Sequence, residues 1–280
     1  MIKKIRSLTD KYPIPAAFIA FVLIDVVVLG LGQLLSPLTN TLFMSYVVHT
    51  ILIIVPVAIV FLFGFSSAFK KGSFWRGIIC GLPLILSQVM SLFFFFSENV
   101  GNPSVDWKPW YLIVYSVFTI VGVGIREECI YRATIQNIIA KKHVNSVKGI
   151  WLTAIISSFL FGLTHMTNIL KGGNPLSIIT QSISAAFLGL LFSAIYLRSG
   201  NIWSLVFIHT LTDVASLSPS VFLHLTLTEN LNKIYWSPAM LGLWAIYVGL
   251  SAFLLRPSKC KQICESLCFA DEKSDEAPNT

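Results

Sequence analysis

Apolar residues gather in eight long runs, at roughly 14–35, 46–69, 77–97, 109–135, 149–166, 176–197, 202–217 and 238–255. The runs are continuous, whereas barrel strands would show short alternating segments. Most approach the twenty or so residues that a helix needs to cross a bilayer. The pattern predicts an all-α, polytopic membrane protein of about eight transmembrane helices. The first run is too long for a signal-peptide core, and no small-residue cleavage site follows it, so it reads as a retained helix. The chain divides into helices 1–3 with their loops (1–109), helices 4–7 (110–217), a last loop and helix 8 (218–257), and a polar tail (258–280).

Composition sharpens this picture. Of 280 residues, 55% are hydrophobic and only 12% charged, with a mean hydropathy of +0.76. Soluble domains carry about a quarter charged residues, so an ordinary soluble enzyme is excluded. Disorder is excluded too, because it needs low hydrophobicity and high charge. The net charge of +7 has a topological explanation and gives no reason to invoke nucleic acid. Fifteen Lys and Arg fall in the N-terminal arm, the second, fourth and sixth loops and the tail; three fall on the other side. By the positive-inside rule both termini are cytoplasmic, which an even number of spans requires. The expected location is a cell membrane, or the endoplasmic reticulum in a eukaryotic source. Cys260, Cys264 and Cys268 repeat every four residues in the tail. They read as unmodified thiols on one helical face, with palmitoylation the functional alternative.

Ionisable groups within membrane helices are costly and point to function by default. The fourth run carries Glu127-Glu128-Cys129-Ile130-Tyr131-Arg132, an E-E-x-x-x-R pattern expected about 0.004 times by chance. Glu128 and Arg132 are four apart and can pair on one face, while Glu127 points about 100° away. One carboxylate can thus be held by Arg132 while its neighbour faces a cavity as a general base. The fifth run ends Phe161-Gly162-Leu163-Thr164-His165, an F-x-x-x-H pattern expected about 0.4 times by chance. The seventh carries His209-Thr210-Leu211-Thr212-Asp213, where a carboxylate can hold a His tautomer. Asp25 and His49 read as inter-helix hydrogen bonders, and Ala185 with Gly189 as a close-packing pair.

The three motifs in this order, each on its own span, resemble the CAAX-processing and bacteriocin-processing membrane protease family (CPBP, also called Abi). The stretch Arg198-Ser199-Gly200-Asn201-Ile202-Trp203 is similar to the family's short loop before its seventh span. The resemblance covers about 110–217. It implies an eight-helix intramembrane endopeptidase with a buried site open to the cytoplasmic side, acting on membrane-associated or lipidated peptides and proteins. Bacterial relatives are linked to bacteriocin immunity and peptide maturation. Carried over, Glu127 activates the attacking water, Glu128 and Arg132 set its charge and position, and Phe161 shapes the substrate wall. His165, His209 and Asp213 bind a metal or polarise the scissile carbonyl. Glu127, His165 and His209 are the candidate ligands for Zn²⁺, and the same residues equally allow a metal-free reaction.

Two other function classes remain open. One is a non-catalytic scaffold or immunity factor using the same cavity. The other is a proton-coupled transporter, against which stands the absence of internal repeats and paired broken helices. Depth adds a constraint. His165 lies about 21 Å along its helix from Trp151, nearer the outer side than Glu127 or His209. A shared site therefore requires the fifth helix to start well inside the cytoplasm, or the site to lie near mid-membrane.

Overall fold

The computed structural model describes residues 2–267, and they are overwhelmingly helical. Cys268 and the acidic stretch 271–276 lie outside the described residues. The helices are α1 (Ile2–Lys11), α2 (Pro13–Leu35), α3 (Leu42–Phe63), α4 (Phe74–Asn99), α5 (Trp110–Glu128), α6 (Asn137–His143), α7 (Val147–Thr164), α8 (Pro175–Ser199), α9 (Ile202–Ser216), α10 (Ser218–Phe222), α11 (Leu227–Leu231), α12 (Pro238–Leu254) and α13 (Cys260–Leu267). A π-helical segment, Cys129–Gln136, joins α5 to α6 without a break.

Every apolar run is helical, but the runs are unequal. Among the described residues five helices are long and apolar enough to cross a membrane: Pro13–Leu38, Leu42–Phe63, Phe74–Asn99, Val147–Leu170 and Pro175–Ser199. A sixth forms if Pro238–Leu254 and Pro257–Leu267, bent by 51°, are one span. Of the eight expected runs, those of α5 and α9 fall short of this measure for a physical reason. α5 ends in Arg126, Glu127 and Glu128, and α9 has only 15 residues, about 23 Å of helix. These two helices carry polar chemistry where the others carry lipid-facing side chains. Leu23, Val26, Phe43, Trp75, Ile79 and Phe93 on α2–α4 are more than half exposed, as a lipid-facing surface requires. The chain is a multi-pass membrane protein.

Side-chain oxygens from Thr41, Ser73, Ser146, Asn174, Asn201 and Ser237 cap the N-termini of the helices that follow them. Gly200 ends α8 with φ +63. A Cβ there would strike the Ser266 carbonyl and crowd Gly72, so glycine is required both for the turn and for the approach of two chain segments.

The core lies around α8, which packs against α7, α12, α4 and the C-terminal α13. Polar residues cluster inside it. Residues 129–140 are each at most 3% exposed. Arg132, Gln136 and Asn137 therefore need internal partners, and each finds them: Glu128 and the Gly189 carbonyl, the Ser193 carbonyl, and Tyr196 with the Ala133 carbonyl.

The long α5–π–α6 rod resolves the depth of the site. Glu127 stands about 26 Å from Trp110 at one end and about 24 Å from His143 at the other. The turn at 144–146 sends α7 back antiparallel, and His165 lies about 27 Å from its start. Glu127 and His165 are thus level, near the middle of the bundle's length.

Candidate active site

The site is built where α5, α7, α8 and α9 converge. Gly124 on α5 lets α9 close in, since a Cβ there would lie 2.9 Å from Thr210 Oγ1. Gly189 on α8 does the same for α7: its Cβ would lie 2.8 Å from Phe161 Cδ1 and 3.4 Å from Arg132 Nη2. The Ala185 and Gly189 pair is therefore a packing feature that also seats two site residues. Cys129–Gln136 is wound as a π-helix, and the Thr134 hydroxyl donates to the Cys129 carbonyl five residues back at 2.9 Å. Such segments recur at functional sites.

Glu128 is the hub. Its Oε1 accepts from Arg132 Nη1 at 3.3 Å and lies 2.6 Å from His209 Nδ1. A carboxylate oxygen can only accept, so Nδ1 carries the proton and Nε2 is turned the other way. Glu128 and Arg132 are wholly buried, and the His209 side chain is 4% exposed. The Arg132 guanidinium also donates to the Gly189 carbonyl at 3.1 Å and stacks 4.5 Å from the Phe161 ring centre. The sequence leads one to expect Asp213 to hold the His209 tautomer. The structure gives that contact to Glu128, because the two Glu neighbours project from α5 in different directions.

His209 Nε2 instead faces two carboxylates at longer range, Glu127 Oε2 at 3.7 Å and Asp213 Oδ2 at 3.5 Å. Glu127 and Asp213 are partly open to the cavity, with side chains 15% and 26% exposed. Arg126 Nη2 lies 3.7 Å from Glu127 Oε1. His165 Nδ1 is 2.9 Å from the Phe161 carbonyl, which accepts its proton. Phe161 lies beside both imidazoles, with ring centres 5.0 Å from His165 and 5.8 Å from His209. The fold thus brings together all seven residues singled out from the sequence: Glu127, Glu128, Arg132, Phe161, His165, His209 and Asp213. Five of them line a cavity of about 1320 Å³, and Glu128 with Arg132 stand behind it.

Two further contributors were not identifiable from sequence patterns. Asp25 on α2 accepts from the Thr164 hydroxyl at 2.9 Å and from the Tyr131 hydroxyl at 3.3 Å, and it lines the same cavity. It is the inter-helix bonder expected of a buried carboxylate, but its partners lie more than 100 residues away. Phe192, 5.0 Å from His209 between ring centres, completes the wall. His49 bonds the Ser45 carbonyl at 2.8 Å and meets the Tyr115 hydroxyl at 3.3 Å, away from this cluster.

The donor set suits zinc in its chemistry, with two imidazoles each fixed through Nδ1. Among the described residues no group of three His, Cys, Asp or Glu side chains is already spaced to hold a metal ion. What the arrangement provides is a cavity-facing carboxylate beside an imidazole whose orientation is locked by a buried carboxylate and guanidinium.

Residues 109–215, under half of the chain, match the family model for Type II CAAX prenyl endopeptidase Rce1-like, consistent with a CPBP-family intramembrane protease. The match spans all three motifs. No curated protein and no solved structure matches the chain.

Proposed function

We propose, from the premise that residues 109–215 form a CAAX-endopeptidase-like core, that this protein is an intramembrane endopeptidase that hydrolyses peptide bonds of membrane-associated or lipidated polypeptides. The observation that carries the reading is the division of labour between adjacent glutamates. Glu128 is sealed and committed to Arg132 and His209, while Glu127 opens to the cavity.

Glu127 takes a proton from a water held beside His209 and Asp213, and the hydroxide attacks the scissile carbonyl carbon. The carbonyl π electrons move to oxygen, and the oxyanion is met by an Nε2–H of His209 or His165, whose ring, already protonated at Nδ1, donates there as the imidazolium. Collapse of the tetrahedral species breaks the C–N bond, and Glu127 returns its proton to the leaving amine. General-base assistance of this kind contributes about 10²–10⁴-fold, and one oriented oxyanion donor about 10²–10³-fold. Glu128 and Arg132 do not touch substrate; they hold His209 in place. Phe161 and Phe192 exclude water behind the imidazoles, which strengthens each electrostatic contact. No step is routed through a metal.

The test is a peptide inventory of membranes expressing the wild type beside Glu127→Gln at matched protein levels. Fragments that depend on Glu127 are expected. Identical inventories from two folded, abundant proteins would overturn the reading in favour of a scaffold or immunity factor.

A further inference from the structure

The two ends of the helical bundle differ sharply in charge, and each is tied into a unit. At one end Arg6 donates to the Phe61 and Leu62 carbonyls, and Lys141 pairs with Asp10 at 3.0 Å. At the same end Ser73 N donates to the Ser199 carbonyl, and Arg198 to the Leu254 carbonyl and Gln262. Among the described residues this end gathers fourteen Lys and Arg against two acids, Asp10 and Glu265. At the other end Lys108 N donates to the Phe222 carbonyl, His224 N to Asp106, and Asn174 N to Asn232. That end holds three Lys (108, 171, 233) against Glu98, Asp106 and Glu229.

The cavity belongs to the second end. From Glu127, His165 and His209 it runs to Lys108, His224 and Lys233, and the last two are exposed there. Among the described residues its lining includes none from the basic loops at 64–73, 144–146 or 198–201. On that side the way is closed by 129–140, each at most 3% exposed, and by 193–199 of α8, each at most 8% exposed. A separate cleft of about 400 Å³ at the basic end is lined by Lys70, Lys71, Arg76 and Glu265 and shares no residue with the cavity.

Lys and Arg are retained on the cytoplasmic side of a membrane protein. We infer that the mouth of the catalytic cavity faces the extracytoplasmic side, so that the substrates are polypeptide segments or chain ends exposed at that face. This reverses the cytoplasmic opening that the family resemblance implies. The assignment of a substrate class rests on the endopeptidase reading; the side on which the mouth opens does not. The wall is apolar along Leu29, Leu52, Ile120 and Val123, with Lys108 and Lys233 at the mouth. An apolar segment followed by an acidic group or a chain-terminal carboxylate complements that gradient.

The test uses the full chain in intact cells with a membrane-impermeant, mass-shifting maleimide. Ser104→Cys and Leu225→Cys report on the mouth end, Lys70→Cys on the basic end, and the wild type gives the background of its own cysteines. The expected result is a mass shift of the two mouth variants in intact cells and of Lys70→Cys only after permeabilisation. The adduct at Leu225→Cys is also expected to reduce Glu127-dependent cleavage at least ~10-fold relative to the same variant unlabelled, whereas the adduct at Lys70→Cys leaves it unchanged. Labelling of Lys70→Cys alone in intact cells would overturn the inference, as would full cleavage with the Leu225→Cys adduct in place. If no Glu127-dependent cleavage is found, the endopeptidase reading fails while the labelling still decides the side.

Discussion

His209 Nδ1 lies 2.6 Å from Glu128 Oε1, and the same oxygen takes Arg132 Nη1 at 3.3 Å. One buried carboxylate thereby fixes an imidazole from a helix 81 residues away and neutralises a buried guanidinium. Removing it strands both. Glu128→Ala is expected to destabilise the protein by about 3–5 kcal/mol, the usual cost of leaving a buried charge unpaired. Glu128→Gln keeps an acceptor oxygen and is expected to fall between Ala and wild type. Unfolding midpoints in one detergent, compared across the three proteins, check this; a Glu128→Ala protein as stable as wild type would contradict it.

Glu127 should behave oppositely. Its ion-pair contacts to Arg126 and His209 are both 3.7 Å, and its side chain is partly open to the cavity. Glu127→Gln is expected to lower kcat by about 10²–10⁴-fold while leaving the unfolding midpoint near wild type. Turnover and thermal unfolding on the same preparation separate the two effects.

Asp25 is expected to act through its neighbours. Its bonds fix Thr164, the residue before His165, and Tyr131, the residue before Arg132. Asp25→Ala leaves two hydroxyls short of an acceptor, at a cost of about 1–3 kcal/mol. It is also expected to lower kcat, because His165 loses its support. Asp25→Asn retains one acceptor oxygen and should recover most of both. Equal loss in the two variants would place the role of Asp25 in its charge and not in its bonds.

Gly189 tests the packing behind the site. A methyl group there would lie 2.8 Å from the Phe161 ring and 3.4 Å from Arg132 Nη2, so one of them has to move. Gly189→Ala is expected to cost about 1–3 kcal/mol, as other overpacked cores do, and to reduce turnover. Ala185→Gly, one turn away, is expected to leave turnover much closer to wild type. Unfolding and activity of the two variants form the comparison.

Metal dependence can be read separately. Because no three donors converge, turnover is expected to survive dialysis against a strong zinc chelator at its starting level. Loss of activity restored by zinc alone would show that the side chains close around a metal, with Glu127, His165 and His209 as its ligands.

Much of this arrangement was legible in the sequence because it follows from helical periodicity. Four-residue spacings predict that Glu128 meets Arg132 and that Phe161 stands beside His165, and both contacts form. The partner of His209 was not legible. Its sequence neighbour Asp213 and the distant Glu128 are both plausible carboxylates, and only the α5–α9 crossing at Gly124 selects between them. The number of spans was partly hidden for a related reason. Hydropathy measures lipid contact, and the helices that build the site give up lipid-facing residues for polar ones. Asp25 shows the same limit, since no local spacing connects it to Tyr131 or Thr164.

The central claim is that Glu127 activates water to cut a peptide bond. The most direct measurement incubates membranes containing wild type or Glu127→Gln in ¹⁸O-labelled water and follows new peptide C-termini by mass spectrometry. The account predicts ¹⁸O in new C-terminal carboxylates that appear with wild type and are absent with Glu127→Gln. Labelled C-termini formed equally in both, or none in either with the proteins folded and abundant, would contradict it.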